Sequence, residues 1–435
     1  MSRKGRRFII GLFAVLFLLA PAYAMGYVTG RVIDSVTQKP VSGAFVALNS
    51  EVVRTDESGR FTLKSTGNKV TVRAYGYMRT EQPVVSSLFS ASLEIRLKPF
   101  TPKALYLTFY GIGDRTLRES ALRLIDETEL NALVIDVKGD RGMITYKSSI
   151  PLASGIGAQK LVIVKDIKGL IKSLKERGIY TIARIVVFKD DALGTARPDL
   201  TVRAQDGAVW RDRENLIWVD PFRKEAWDYN IDIAVEAAQN GFDEIQFDYV
   251  RFPDRTGLKF SMPNNEENRI RTITGFLMEA RKRLAPYNVF LAADIFGYVA
   301  WNINDTQIGQ KIESLVSCVD YISLMLYPSG FQFGIPGYRN PVANPYKIIS
   351  LSLKRSQERA QIPSVRFRPW LQAFRDYAFD KRQFTAQEIR DQIKAAEEFG
   401  SNGWMLWNPR NVYSPDGLKK KSTLSKDRAR SNGSS

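Results

Sequence analysis

Gly241-Phe242-Asp243-Glu244-Ile245-Gln246-Phe247-Asp248-Tyr249-Val250-Arg251-Phe252-Pro253 follows a helical run and stops at a proline. Its middle alternates as a strand does, with Gln246, Asp248 and Val250 on one face and Ile245, Phe247 and Tyr249 on the other. An unpaired charge inside a strand costs several kcal/mol, so Asp248 either has neutralising partners or ends the strand at a site. In a parallel barrel that C-terminal end is where catalysis sits.

The surrounding pattern supports a barrel. Apolar strands are predicted at Ala104 to Phe109, Ala132 to Val137, Thr181 to Val187, Glu244 to Val250, Val289 to Ile295, Tyr321 to Leu326, Phe367 to Leu371 and Gly403 to Trp407. Helical patterns separate them: Thr116 to Glu129, Lys165 to Arg177, Lys224 to Asn240, Glu266 to Leu284, Asp305 to Ser317, Pro345 to Arg359 and Thr385 to Phe399. Eight strands alternating with helices across residues 101–418 make this an α/β chain, a (β/α)8 TIM barrel, with a doubly wound open sheet as the alternative. No helix is predicted after the last strand, where Asn408 to Leu418 is rich in Pro, Gly and Asn.

The first hundred residues read differently. Arg3, Lys4, Arg6 and Arg7, the apolar run Phe8 to Ala20 and Ala22-Tyr23-Ala24 together read as a secretory signal peptide over 1–24. The run is shorter than the ~20 residues of a membrane span, so export with a start near Met25 is favoured over an uncleaved anchor. Residues 26–98 hold short alternating runs between turn signals, as in a small all-β sandwich that folds apart from the barrel across Pro99 and Pro102. The series Gly30-x-Val32-x-Asp34, Pro40-Val41-x-Gly43-Ala44-x-Val46 and Thr55-Asp56-x-x-Gly59-x-Phe61 resembles the carboxypeptidase-regulatory-like, transthyretin-like domain family. That resemblance implies a seven-stranded Greek-key sandwich with no catalytic residue. Residues 419–435 form a basic, Ser-rich tail expected to be disordered.

Composition narrows the chemistry. The 435 residues contain no histidine and one cysteine, Cys318. Ser-His-Asp and Cys-His nucleophiles and intramolecular disulfides are excluded, and acid/base work falls to Asp, Glu, Tyr or Lys. No cofactor or metal is expected. Of the formal charge of +17, four cations lie in the leader and a net five in the tail, leaving about +8. With no basic-aromatic stripe, that excess suits anionic envelope polymers rather than nucleic acid.

Polar residues gather at the predicted C-terminal strand ends: Asp136 and Lys138, Arg184, Asp248 followed by Arg251, Asp294, Tyr327, Trp370 and Gln372, Trp407 and Asn408. The loops beyond, notably Lys189 to Phe222 and Pro328 to Asn344, are long and aromatic, which suits the apolar faces of sugar rings. Asp248 and Asp294 are the catalytic candidates; the others are candidate substrate contacts. The bland alternative for Asp248 is an ion pair with Arg184 or Arg251, and for Asp136 one with Lys138 or Arg141.

Phe242-Asp243-x-Ile245-x-Phe247-Asp248-Tyr249-Val250-Arg251-Phe252-Pro253, with Val219-Asp220-Pro221 upstream and Met325-Leu326-Tyr327-Pro328 downstream, resembles the bacterial "putative glycosyl hydrolase domain" family from about Thr101 to Asn411. The resemblance implies a glycosidase-type TIM barrel. Set against the chitinase pattern Asp-x-x-Asp-x-Asp-x-Glu, this chain has Gln246 at the second Asp, Asp248 at the third and Val250 at the catalytic Glu. A second carboxyl must then come from another strand, and Asp294 is the best placed. The expected function is an exported glycoside hydrolase acting on a polysaccharide, with Asp248 as nucleophile or base and Asp294 as acid. Its rival is a non-catalytic glycan-binding or envelope-scaffold protein on the same barrel.

Overall fold

The computed structural model describes residues 27–64, 67–84 and 90–421; the leader and residues 422–435 of the tail lie outside them. Seven strands come first: β1 (Tyr27–Asp34), β2 (Phe45–Leu48), β3 (Glu51–Arg54), β4 (Arg60–Leu63), β5 (Lys69–Arg73), β6 (Thr80–Pro83) and β7 (Ser90–Leu97). They form two sheets, ordered β4-β1-β7 and β3-β2-β5-β6. Alternate apolar side chains, among them Val32, Val46, Phe61, Val72 and Ile95, fill the space between. Gly30 permits the close approach of β7 and Phe61, since a Cβ there would lie 2.3 Å from the Leu93 carbonyl oxygen. β3 and β6 are edge strands carrying charged and polar side chains, so no apolar run announces them.

Eight parallel strands then close a barrel: β8 (Lys103–Leu107), β9 (Ala132–Lys138), β10 (Tyr180–Val186), β11 (Glu244–Asp248), β12 (Phe290–Phe296), β13 (Tyr321–Met325), β14 (Trp370–Gln372) and β15 (Trp404–Trp407). Buried helices such as Lys224–Gln239 and Glu266–Leu284 form the outer ring, their apolar stripes set against outward residues such as Ile245 and Phe247. One predicted helix is largely missing. Within residues 305–317 only Ile312–Leu315 is α-helical. The Asp305 carboxylate accepts from the Arg269 guanidinium and from the amides of Gln307 and Gly309, and Thr306 and Gln307 take positive φ, which holds a tight loop instead.

The seam without a helix closes all the same. Met405 and Leu406 of β15 pair with Ala104 and Leu105 of β8. Residues 408–420 strap the outside. The Tyr413 hydroxyl donates to the Tyr106 carbonyl at 2.8 Å, Asn411 accepts from the Thr108 amide at 3.0 Å, and Lys420 bridges to Thr128.

The sandwich sits against the N-terminal end of the barrel. Arg73 of β5 pairs with Asp320, just before β13, at 2.8 Å, and its Nε donates to Asn288 just before β12. The Tyr75 ring lies 6.0 Å from Tyr321, and Phe100 lies 5.4 Å from Tyr180. Pro99 to Pro102 therefore run along an interface, with the Phe100 amide donating to the Gly76 carbonyl, rather than spacing two free bodies. Inside that end, Glu244 and Arg368 form a fully buried pair at 2.5 Å. With the bottom closed, the C-terminal mouth is left for a ligand.

Candidate active site

The site is built outward from the end of β11. Tyr249 takes φ +48°, unusual for a residue with a Cβ, and its amide donates to Asp248 Oδ1 at 2.6 Å. This turn ends the strand two residues early, at Asp248 instead of Val250. Tyr249 leaves the face of Phe247 and packs edge-on to Trp218, with ring centres 5.6 Å apart, while Val250 enters the outer core instead of sharing the Asp248 face.

Arg184, inside β10, organises the floor. Its Nε and Nη2 donate to Asp248 Oδ2 at 2.9 and 2.7 Å, and its Nη1 donates to Asp136 Oδ1 at 2.7 Å. The Tyr106 hydroxyl and the Phe109 amide donate to Asp136 Oδ2. Both Asp136 oxygens are thus engaged within the chain, and burial, partly offset by Arg184, raises its carboxyl to about 6. The ion-pair alternative for Asp248 is real, with Arg184 and not Arg251 as partner, and Asp136 pairs with Arg184 rather than Lys138 or Arg141.

Asp294 of β12 lies deeper. Its Oδ1 accepts from the Trp370 indole at 2.7 Å, and its Oδ2 has no hydrogen-bond partner among the described residues. Burial, and next the charge of Asp248, push its carboxyl well above the usual range. Both causes favour its protonated form. Tyr327 borders the mouth between these carboxyls; burial and then the charges of Asp294 and Asp248 raise its phenol far above normal, so it too stays protonated.

Above this floor opens a cleft of about 460 Å³, bordered by Arg184, Asp248, Tyr249, Arg251, Tyr327 and Trp407, with Phe296, Tyr298, Phe331, Phe374 and Tyr377 as walls and Glu214 at the rim. Trp407 stacks on Tyr106 with centres 4.0 Å apart and planes 9° from parallel, and the Arg184 guanidinium lies 5.0 Å over it. A cleft with an aromatic surround, a paired carboxylate on its floor and a protonated carboxyl beneath can hold a sugar ring and offer it both charge and proton.

Six of the eleven residues singled out in sequence meet at or below this cleft: Asp248, Arg184, Arg251, Tyr327 and Trp407 on it, and Asp294 under it. Asp136 lies behind Arg184, and Trp370 reaches Asp294 but not the cleft. The other three are held elsewhere. Lys138 is fully buried behind β9, paired with Asp190 at 2.7 Å and donating to the Val186 carbonyl and Asn230. Gln372 joins two loops by bonding the Ser329 amide and hydroxyl. Asn408 caps the strap through the Ala373 and Val412 carbonyls. The readings of Lys138, Gln372 and Asn408 as substrate contacts therefore do not fit the geometry, because local partners already use their polar atoms. Tyr249, Tyr298, Phe331, Phe374, Tyr377 and Glu214 were missed; the aromatic content of the long loops was the one signal for them.

A family model described as "putative glycosyl hydrolase domain" matches residues 104–413. No curated protein matches the chain. Among solved structures, a hypothetical protein from Ruminiclostridium thermocellum ATCC 27405 is 40% identical over 44% of this chain and 96% of its own, with a TM-score of 0.39. The PgaB (BpsB) glycoside hydrolase domain from Bordetella bronchiseptica is 16% identical over 72% of this chain and 95% of its own, with a TM-score of 0.54, and shares the fold. A class V chitinase from Nicotiana tobaccum is 12% identical over 72% of this chain and 95% of its own, with a TM-score of 0.43. The family match runs through every barrel strand from β8 to β15 and takes in the whole floor of the cleft, and the chain belongs to the glycosyl hydrolase family that this domain defines.

Proposed function

We propose that the protein is an exported glycoside hydrolase that cleaves a polysaccharide in the cleft at the C-terminal end of the barrel. The observation that carries this reading is the inequality of two neighbouring carboxyls: Asp248 faces the cleft with a guanidinium as its counter-charge, while Asp294 beneath it is buried with an indole on one oxygen and no partner on the other, which favours its protonated form. Glycosidic cleavage needs one carboxylate and one acid. Asp248 stabilises the positive charge that develops at the anomeric carbon, either bonding to that carbon or taking a proton from the water that does. The C–O bond breaks and the leaving oxygen takes a proton. Asp294 does not border the cleft and makes no hydrogen bond to Tyr327, which does, so its proton would reach that oxygen through one bridging water beside the Tyr327 hydroxyl. Export rests on the basic start, the apolar run and Ala22-Tyr23-Ala24.

The test is release of reducing ends from a panel of cell-wall and exopolysaccharide fractions by the full chain, alongside Tyr327→Phe and Asp294→Asn. The expected result is release by wild type and a fall of about 10²-fold or more in kcat for both variants with little change in KM. No release from any fraction, with glycan binding intact, would favour the non-catalytic scaffold.

A further inference from the structure

The cleft does not end at its rim. Past Glu214, Tyr249 and Arg251, which border both, it continues into a second basin of about 440 Å³ formed by the loop of residues 189–222 and the turn after β11. We propose that this basin is a subsite for an acidic sugar, one bearing a carboxylate or phosphate, of the polysaccharide whose neighbouring linkage lies at Asp248. The proposal rests on the hydrolase reading above and names its substrate class.

Two features of the basin carry it. The first is an aromatic floor: Trp210 and Tyr249, each partly exposed, flank buried Trp218, whose ring centre lies 6.4 Å from the one and 5.6 Å from the other, leaving two rings that a sugar can meet. The second is an unequal use of charge. Of the basin's three acids, Asp212 is consumed within the chain, accepting from the Trp218 indole at 3.0 Å, from the amides of Glu214 and Leu216, and from buried Lys189, and Glu214 pairs with the same lysine at 3.0 Å. Of its arginines, Arg211 is consumed, pairing with Asp191 at 3.1 Å and donating to the Asn215 carbonyl; the other three are less engaged. Arg251 lies 5.0 Å over Trp218 and 5.2 Å over Tyr249, with its nearest carboxylate, that of exposed Asp254, 4.0 Å away. Arg213 and Arg255 are exposed and have no ion-pair or hydrogen-bond partner among the described residues. Two unpaired guanidinium groups in a basin with an aromatic floor match a sugar ring that carries an anionic group, because the planar fork takes a carboxylate or phosphate through two hydrogen bonds.

The experiment measures binding on the full chain carrying Asp248→Asn, so that no polymer is consumed, by retardation in gels at about physiological salt, where exposed charges are screened beyond roughly 8 Å. The probes are polygalacturonate, a glycerol-phosphate polymer and neutral dextran. Retardation by one or both acidic polymers should exceed that by dextran at least about tenfold, and the stronger of the two tells carboxylate from phosphate. Adding Arg213→Ala with Arg255→Ala should cost about tenfold of that affinity with an unchanged Tm, since both side chains are exposed. Equal retardation by dextran and the acidic polymers, or full affinity in the protein lacking both Arg213 and Arg255, would overturn the proposal. Acid-selective binding without hydrolysis by wild type would sink the hydrolase reading and leave the subsite standing, so the two failures are distinct.

Discussion

Arg184 grips Asp248 with two nitrogens on one oxygen, Nε at 2.9 Å and Nη2 at 2.7 Å from Oδ2. The same guanidinium reaches Asp136 at 2.7 Å and Asp140 at 3.2 Å, so one cation serves three carboxylates. Removing one of them leaves Arg184 paired. Asp248→Asn should therefore cost only about 1–3 kcal/mol, less than the usual loss on breaking a buried pair, as read by urea denaturation.

Asp294→Asn should do the opposite, in a pH-dependent manner. The unfolded carboxyl titrates near 3.8, whereas the folded one, buried beside Asp248, keeps its proton well above that. As pH rises past about 4 the unfolded chain releases the proton and the native chain does not, so wild type loses about 1.4 kcal/mol per pH unit across that window. Asn does not titrate and can still accept from Trp370. The stability of Asp294→Asn relative to wild type should grow between pH 4.5 and 6 in urea melts; a constant difference would show that Asp294 is ionised in the fold.

Lys138 tests placement rather than chemistry. With its ammonium fully buried against Asp190, Lys138→Met strands that carboxylate and should cost about 3–5 kcal/mol. At a temperature where the variant remains folded, KM for polysaccharide should stay near the wild-type value. A raised KM in a stable variant would return Lys138 to the substrate site.

The junction with the sandwich gives a fourth stability test. Arg73 pairs with Asp320 at 2.8 Å and lies 5.3 Å over Phe290, tying β5 to the floor of the barrel. The chain should melt in one transition, and Arg73→Ala should lower it as a whole by about 3 kcal/mol. Two separate transitions, with the barrel's unmoved by the substitution, would restore the independent sandwich expected from the prolines at 99 and 102.

The barrel was legible because its strands are apolar nearly throughout, so that each polar residue at a strand end stood out. Asp248 and Arg184 were visible on those grounds, and their pairing was one of the alternatives already weighed. Depth was not legible. Asp294 and Asp248 look alike in sequence, and only the tertiary placement of Trp370 separates the buried acid from the carboxylate at the cleft. Nor was the turn at Tyr249, because alternation offers no warning when a residue other than glycine or proline ends it. The walls were hidden for a related reason: Tyr298, Phe331 and Phe374 belong to three different loops, and which loops meet is decided by the closed barrel.

The most direct test is steady-state hydrolysis of the polysaccharide fraction most susceptible to wild type, by wild type and Asp248→Asn, at a temperature where urea denaturation shows both folded. Asp248 on the cleft floor should make kcat fall by about 10²–10⁴-fold while KM stays within a few-fold. An Asp248→Asn protein that turns over at the wild-type rate, or one whose activity falls only in step with its folded fraction, would contradict the account and leave Asp248 as a member of the Arg184 ion-pair network alone.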